Sequence, residues 1–293
     1  MNKTRIQIAK ADITRYFDQF PQKVLKLTDI AAILREQRKY WRLTQNTTTQ
    51  AFVKFLTDHT RLKRLDFPFP YRKEHRYVWG DVHILEVLIT IKRQSYFTHY
   101  TAVRMHGLTE QMPKTIYLNH EQPPHAQDSE LEQGRIDAAF SRAPRVSQNV
   151  IEYGDVRICL INGMHTGQLG VVEEQVTYDT ANPVRIRLTN IERTLIDIAV
   201  RPIYAGGVFE VLKAYRLAKE RVSVNRLAAV LQKLRYIYPY HQVIGFYFER
   251  AGYKPSSIEL FRRFPIEFDF YLAHQLGKTD YVQKWRLHVP KGF

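Results

Sequence analysis

The chain has 293 residues, of which 44% are hydrophobic and 25% charged, and its formal net charge is +15. These values are typical of a globular protein long enough for two domains rather than of a disordered chain. No apolar run approaches the ~20 residues that span a bilayer, and the N-terminus lacks the apolar core of a signal peptide. A single cysteine, Cys159, excludes an internal disulfide and a zinc site built on several thiolates. We therefore expect a cytoplasmic protein without a membrane partner.

Positive charge is concentrated at the N-terminal end of the chain. Residues 1–80 contain 17 Lys and Arg against seven Asp and Glu, whereas residues 81–293 contain 27 against 22. This distribution favours a polyanionic partner, because every phosphate that a cation neutralises releases condensed counterions. Charge alone is equally typical of a basic protein without such a partner, so the interpretation depends on what residues 1–80 form.

Residues 1–80 carry helical patterns followed by a basic hairpin. Three helices are predicted: one ending at Pro21, one capped by Thr28, and one containing Phe52 and Phe55 after a polar connection. Short extended runs at residues 62–65 and 77–79 flank a Pro-rich tip and a basic segment. This is the order of a winged helix-turn-helix, in which the third helix enters the major groove. We predict a winged-helix DNA-binding domain over residues 1–80 and a larger C-terminal domain over residues 81–293.

The winged helix predicts which side chains contact double-stranded DNA. Short polar side chains at the start of the third helix suit base edges, and cations at its exit and on the hairpin suit the backbone or minor groove. The predicted DNA-binding residues are Thr47, Thr48, Thr49, Gln50, Lys54, Arg61, Lys63, Arg64, Arg72, Lys73 and Arg76. Two plainer interpretations stay open: residues 47–49 as an N-cap and loop, and residues 72–76 as a solvated turn. Winged helices also mediate protein contacts without nucleic acid.

Beyond residue 80 the pattern is mixed α and β. Helices are predicted over residues 82–91 and 97–108, after a capping box of Thr189 and Glu192, after Gly206-Gly207, after Ser223, and over 241–251. Strands are predicted at residues 115–119, 149–152, 155–160, 176–178 and 184–188, with a polar loop at 122–129 and a turn at 180–183. The expected fold class is α+β: a winged helix, then a larger mixed α/β domain with a helical second half.

The C-terminal domain offers few candidates for catalysis. The sequence contains neither a GxxxxGK[ST] loop nor a GxGxxG motif after a strand. Cys159 lies in an apolar strand run, which favours a buried thiol, and His99 and His106 share one face of a predicted helix without a third metal ligand. Glu267 and Asp269 share one face of a predicted strand, a layout that can hold Mg²⁺. We predict no enzyme, catalytic residue, metal site or cofactor; the alternative is a DNA-directed, metal-dependent nuclease-like effector that uses this pair.

Several stretches, taken together, resemble the AbiEi antitoxins of type IV toxin–antitoxin (abortive-infection) systems. They are Tyr-Thr-Ala-Val at 100–103 with Met-His-Gly-Leu-Thr at 105–109 and Pro-Lys-Thr-Ile-Tyr at 113–117, then residues 191–202 with 204–207, residues 236–253, and residues 284–287 with 290–293. The resemblance implies a winged-helix N-terminal domain and repression of the protein's own operon through inverted repeats in its promoter. It also implies a C-terminal domain that serves antitoxicity and adds to the DNA contact. The cognate toxin would resemble a nucleotidyltransferase and be counteracted without a stable complex.

Arg193, Asp197 and Arg201 fall at i, i+4 and i+8 of one predicted helix within these stretches. That spacing predicts a charged ladder on one helix face, with the carboxylate between two guanidinium groups. Alternatively, Arg193 and Arg201 extend the DNA surface together with Arg185 and Arg187. Both interpretations stay open, as does a third possibility for the whole chain, an adaptor that binds proteins only.

Overall fold

The computed structural model describes residues 4–124, 130–178 and 183–293. The chain is mixed α and β, and it divides into two compact units, Met1–Gln94 and Ser95–Phe293, called the first and the second unit below. Of the polar loop predicted over residues 122–129, residues 125–129 lie outside the described residues, as do Thr180, Ala181 and Asn182 of the predicted turn.

The first unit consists of short helices and one antiparallel sheet. Its elements are α1 (Arg5–Ile8), α2 (Lys10–Gln19), β1 (Val24–Leu25), α3 (Leu27–Gln37), α4 (Thr49–His59), β2 (Leu62–Phe67), β3 (Glu74–Trp79) and α5 (Ile84–Leu88). The strands are ordered β1-β3-β2. Strand β2 pairs with β3 from Leu62 opposite Trp79 to Phe67 opposite Glu74, so residues 68–73 form the connection. The helix predicted over residues 82–91 is shorter than expected and belongs to this unit.

Aromatic side chains hold the first unit together. Phe17 of α2 stacks on Trp79 of β3 with ring centroids 4.8 Å apart, and Trp41 stacks on Phe52 of α4 at 5.7 Å. These rings are at most 3% exposed, and burial of large aromatic rings is a principal source of core stability. This packing buries one face of α4 and leaves the opposite face exposed to solvent.

The prediction that Thr28 caps the second helix is wrong, because α3 already begins at Leu27. The carboxylate of Asp29 accepts a hydrogen bond from the backbone N–H of Lys26 at 2.7 Å. An acidic side chain in the first turn thus satisfies an unpaired backbone donor and complements the helix dipole. Thr28 lies inside this turn.

The second unit combines a mixed sheet with helices, most of which follow that sheet in the chain. Its elements are β4 (Tyr96–Phe97), α6 (His99–Met105), β5 (Thr115–Glu121), α7 (Gln133–Phe140), β6 (Val150–Tyr153), β7 (Val156–Gly163), β8 (Val171–Val176), β9 (Val184–Thr189), α8 (Ile191–Val200), a 3₁₀ helix (Pro202–Ala205), α9 (Val208–Leu217), α10 (Val224–Leu234), α11 (Tyr240–Arg250), α12 (Pro255–Arg262), β10 (Phe270–Tyr271), β11 (Thr279–Val282), a 3₁₀ helix (Gln283–Trp285) and β12 (Leu287–Pro290).

The larger sheet has the strand order β6-β7-β5-β4-β9-β8. The pairs β5–β7 and β4–β9 are parallel, whereas the other neighbours are antiparallel. The helical second half was predicted incompletely, because the chain ends in a second sheet of order β10-β12-β11. The short strands of that sheet give too little alternation to be recognised from sequence.

The prediction that Thr189 caps the helix of residues 191–200 is also wrong. Thr189 is the last residue of β9, and its buried hydroxyl lies 2.8 Å from that of Thr194. The N-cap is Asn190, whose side-chain oxygen accepts from the backbone N–H of Arg193 at 2.9 Å. Glu192 accepts from the backbone N–H of Ser223 at 3.0 Å and so ties α8 to the start of α10.

Candidate nucleic-acid interface

Helix α4 exposes one polar face. Phe52 and Leu56 are fully buried, while Gln50 and Lys54 are exposed and lie one helical turn apart. The hydroxyl of Thr48 accepts from the backbone N–H of Ala51 at 3.1 Å and caps the helix. The N-cap interpretation of residues 47–49 is therefore correct for Thr48, whose side chain is nevertheless exposed. Thr47 and Thr49 are partly buried.

Arg38 organises the loop that leads into α4, a role that the sequence analysis missed. Its guanidinium donates to the backbone carbonyl of Thr47 at 3.0 Å and to that of Gln45 at 3.3 Å. The hydroxyls of Thr44 and Thr47 are 3.0 Å apart in the same loop. The only sequence signal was the basic and aromatic run at residues 35–42, which identifies no particular arginine.

The connection between β2 and β3, residues 68–73, forms a basic tip that buried phenylalanines hold to the first unit. Phe67 and Phe69 are at most 2% exposed, whereas Tyr71 is 74% exposed. The side chains of Arg72 and Lys73 are exposed, and Arg72 Nε lies 3.4 Å from Glu74 Oε1. The buried phenylalanines hold the tip to the unit while its cations face solvent.

Arg76 does not belong to this basic tip, and its buried position argues against the predicted DNA contact. The residue is 4% exposed. Its guanidinium donates to the backbone carbonyls of His75 and Thr90, each at 2.6 Å, and to that of Ile91 at 2.9 Å. It also lies 3.4 Å from Glu74. Arg76 thus joins β3 to the segment after α5, and its donors are occupied inside the unit.

Each of the three cations after α4 already pairs with a carboxylate. Arg61 contacts Asp18, Lys63 lies 2.8 Å from Asp81, and Arg64 lies 2.8 Å from Asp66. Such exposed pairs contribute little to stability, so exchanging a carboxylate for a phosphate costs little. Lys63 and Arg64 are consecutive in β2, so their side chains lie on opposite faces of the sheet.

The pKa values of the carboxylates reflect these contacts. The Trp79 indole N–H, 2.7 Å from Asp18, and the Arg61 guanidinium lower the pKa of Asp18. Burial alone would raise the pKa of Glu74, but the Lys92 ammonium, 3.0 Å away, and the charges of Arg76 and Arg72 lower it. Both carboxylates therefore stay ionised at neutral pH and balance part of the basic charge.

The carboxylates proposed for the alternative nuclease site are arranged differently from the prediction. Glu267 and Asp269 precede β10 rather than occupying a strand, so the alternation that would place them on one face is absent. Asp269 accepts from Arg286 Nε at 2.9 Å and from the Tyr281 hydroxyl at 2.6 Å, while Glu267 is exposed. Across the described residues, no group of three or more His, Cys, Asp or Glu side chains is placed to hold a metal ion.

The remaining candidates of the second unit are mostly internal. Cys159 is buried in β7, and burial raises the pKa of its thiol to about 11. His106 lies just beyond α6 rather than on the same helix face as His99, and its Nε2 is 2.6 Å from the carbonyl of Thr189. Arg193 Nε donates to Asp197 at 2.6 Å in a buried pair.

The predicted charged ladder is therefore incomplete. Arg201 donates to the backbone carbonyl of Arg145 at 2.8 Å, so the ladder reduces to the pair of Arg193 and Asp197. Arg185 is exposed and lies 2.9 Å from Glu173, whereas Arg187 donates to Gln168. Of these arginines, the buried Arg193 is the one that the structure excludes from a DNA surface.

None of the helices formed by residues 4–124, 130–178 and 183–293 combines the length and apolar character needed to cross a membrane.

Comparison with known proteins shows a shared fold. No family model matches the chain, and no curated protein matches its sequence. The crystal structure of the RV2827C protein from Mycobacterium tuberculosis matches with a TM-score of 0.58 and 14% sequence identity, over 98% of this chain and 93% of that chain. At this identity the similarity establishes a common fold and carries no statement about activity.

Proposed function

We propose that the chain is a DNA-binding antitoxin of the AbiEi type that represses its own operon, and that its first unit is a winged helix. The observation that carries this proposal is the polar face of α4, where Gln50 and Lys54 are exposed opposite a fully buried apolar face. The order α2-β1-α3-α4-β2-β3 and the exposed basic tip between β2 and β3 support it. The protein acts as a regulator, without an enzymatic activity or a cofactor.

In this proposal α4 lies in the major groove of the promoter DNA. The Gln50 amide offers a donor and an acceptor to one base edge, whereas the Lys54 ammonium neutralises a phosphate. Arg72 and Lys73 contact the backbone or minor groove from the tip, and the cation on the face of β2 that meets the DNA exchanges its carboxylate partner for a phosphate. Arg38 holds the loop before α4 and so orients the N-terminus of this helix.

The second unit serves antitoxicity in this proposal, and it counteracts a nucleotidyltransferase-like toxin without a stable complex. The stretches that resemble AbiEi include the buried Arg193–Asp197 pair and the fully buried Trp285, which packs against Gly245. A methyl group on Gly245 would lie 2.2 Å from the indole, so this contact requires glycine. These motifs act as structural supports, which is consistent with a regulator rather than an enzyme.

The test is a promoter–reporter fusion that carries the DNA upstream of the protein's own gene. We expect the wild-type protein to repress the reporter, and Lys54→Ala to release repression because a phosphate contact is lost. Lys233→Ala, which removes an exposed lysine from a helix of the second unit, is the matched control and should repress as the wild type does. Equal repression by wild type and Lys54→Ala would remove α4 from the interface.

Antitoxicity is measured in the same cells by co-expressing the product of the adjacent gene. We expect growth to be restored by wild type and by Lys54→Ala alike, because toxin neutralisation is assigned to the second unit. Absence of both repression and growth rescue would instead favour an adaptor that binds proteins only.

A further inference from the structure

The second unit contains a pocket, lined by both polar and apolar side chains, that the proposed function does not use. Its volume of about 710 Å³ lies in the range of small-molecule sites, roughly 300–1,000 Å³. The buried pair of Arg193 and Asp197 lines it, and Asp197 also accepts from the Thr98 hydroxyl at 2.9 Å. Because Arg193 also donates to the carbonyl of Leu169 at 2.8 Å, these polar groups are fixed in position before any ligand arrives.

The charges around the pocket favour an anion. Among the described lining residues, Arg145, Arg193 and Arg201 carry positive charge, and Asp197 alone is a carboxylate. Arg193 is occupied by Asp197, whereas Arg201 is anchored through the backbone carbonyl of Arg145 at 2.8 Å. That contact places the Arg201 guanidinium beside the backbone of Arg145, whose side chain is exposed. Two arginines that line one pocket provide the charge and the donors that suit a phosphate.

Tyrosines line the same pocket. Tyr236, Tyr238 and Tyr240 follow at every second position, and Tyr236 and Tyr240 contact each other edge to face at 5.3 Å. Within the described residues, none of the three hydroxyls makes a hydrogen bond to the protein. Burial raises the pKa values of Tyr236 and Tyr240, so their hydroxyls stay protonated and able to donate. Tyr238 already stacks on Phe270 at 6.1 Å, whereas the ring contact of Tyr236 is the edge-to-face one with Tyr240. The ring and hydroxyl of Tyr236 are therefore the groups suited to a nucleobase.

His99 supplies a further unpartnered group. It is 8% exposed, it lines the pocket, and its Nδ1 is buried without a hydrogen-bond partner. Its backbone has φ of +50°, a conformation that costs energy for a residue other than glycine and that occurs preferentially at functional sites. Burial lowers the pKa of His99 to about 4, so the ring is neutral and offers both a donor and an acceptor.

We propose that this pocket binds a free mononucleotide, with its phosphate against Arg145 and Arg201 and its base among the tyrosines. The arginines provide the anion site, Tyr236 provides an aromatic ring and a hydroxyl, and the neutral His99 lines the pocket beside them. The proposal does not depend on DNA binding by the first unit.

The test is calorimetric titration of the full chain with the four ribonucleoside monophosphates and triphosphates. Ribose 5-phosphate, which lacks the base, and the free nucleosides, which lack the phosphate, are the ligand controls. We expect at least one nucleotide to bind more tightly than both of its fragments. Arg145→Gln should weaken that binding about tenfold or more, because a hydrogen bond to a charged group is lost.

Arg142→Gln is the matched variant, because Arg142 is exposed, lies three residues away and does not line the pocket. It should bind the nucleotide as the wild type does. Tyr236→Phe, which keeps the ring and removes the hydroxyl, gives a second measurement if Arg145→Gln fails to fold, and it should also weaken binding.

Four outcomes would overturn the proposal. The first three are the absence of binding by every nucleotide, binding that Arg145→Gln and Tyr236→Phe leave unchanged, and equal binding of ribose 5-phosphate. The fourth is a single-stranded oligonucleotide that binds in an Arg145-dependent manner while no mononucleotide binds. The pocket would then recognise the end of a nucleic-acid chain rather than a free nucleotide.

Discussion

Arg76 and Arg72 belong to the same hairpin but have different roles, because Arg76 is buried and Arg72 is exposed. The Arg76 guanidinium is enclosed and saturated by backbone carbonyls, while Arg72 sits on the exposed tip beside a single carboxylate. Removing a buried cation leaves several buried acceptors without a hydrogen-bond partner. Removing an exposed cation leaves only acceptors that water can reach. Arg76 therefore contributes to stability, and Arg72 is available for a ligand.

We predict that Arg76→Met lowers the free energy of unfolding of the protein by about 3 kcal/mol, because Thr90, Ile91 and Glu74 lose their buried partner. Urea denaturation measures this change. Arg72→Ala is the control and should change stability by less than about 0.5 kcal/mol. An unchanged midpoint for Arg76→Met would show that the guanidinium is not structural.

His99 makes stability depend on pH. Its pKa falls from an ordinary value near 6.5 to about 4 in the folded protein because burial disfavours the charged ring. The unfolded chain therefore binds the proton more readily. The contribution of neutral His99 to stability is complete above pH ~6.5 and is lost as the pH falls towards ~4, and it amounts to about 3 kcal/mol at most.

We predict that His99→Asn, which tolerates positive φ, flattens the decline of stability across this pH range. Thermal unfolding followed at a series of pH values is the measurement, with the wild type as reference. Burial also lowers the pKa of His241 to about 4, so part of the decline should persist in the variant. Identical pH profiles for the two proteins would contradict the burial of neutral His99.

At the scale of elements, the proposed function gives α4 and the connection between β2 and β3 different tasks in DNA recognition. The helix presents an amide and an ammonium on one face, and the tip presents cations alone. Amides discriminate base edges, whereas cations neutralise any phosphate. Removal of the amide on α4 should therefore change mainly the sequence specificity of binding. Removal of a cation from the connection should change mainly its salt dependence.

For Gln50→Ala we predict a loss of about 1–3 kcal/mol in binding free energy at one operator position, with random DNA bound nearly as before. Titrations of operator DNA with single base changes, set against random DNA, provide the measurement. Equal losses on specific and random DNA would remove Gln50 from base recognition.

For Arg72→Ala we predict weaker binding to all sequences alike and a salt slope reduced by about one unit, because one phosphate contact disappears. The slope comes from affinities measured over a range of salt concentrations. A slope equal to that of the wild type would leave the tip without a phosphate contact at Arg72.

The elements whose apolar residues follow a clear period could be predicted from sequence. Helix α4, the hairpin of β2 and β3, and the closure of α6 at Gly107, whose φ is +64°, were all expected. The caps at Thr28 and Thr189 were misplaced by one or two residues, because a competing carboxylate or amide completed the first turn instead. Local pattern cannot rank such competing caps.

The candidate site was harder to predict, because exposure depends on tertiary packing. In sequence, Arg76 resembles its neighbours Arg72 and Lys73, and only the segment after α5 determines that it is buried. Arg38 was missed for the same reason, since its partners are backbone carbonyls of a loop. The pocket of the second unit combines residues from 98 to 240, a range over which sequence spacing carries no signal.

At the scale of the whole molecule, the chain combines two compact units with a net charge of +15. The first 80 residues carry most of the positive excess, while the second unit contains the larger core and the pocket. The proposed function assigns DNA recognition to the first unit and antitoxicity to the second. The proposal that the first unit recognises the promoter of the protein's own gene is the central claim of the proposed function.

The most direct test is a mobility-shift titration of the purified full chain on the DNA upstream of its own gene, against random DNA, at low salt and at roughly physiological salt. The account predicts tight binding that prefers the upstream DNA and weakens steeply as salt rises, since several phosphates are neutralised. Binding without preference, or no binding at physiological salt, would contradict it.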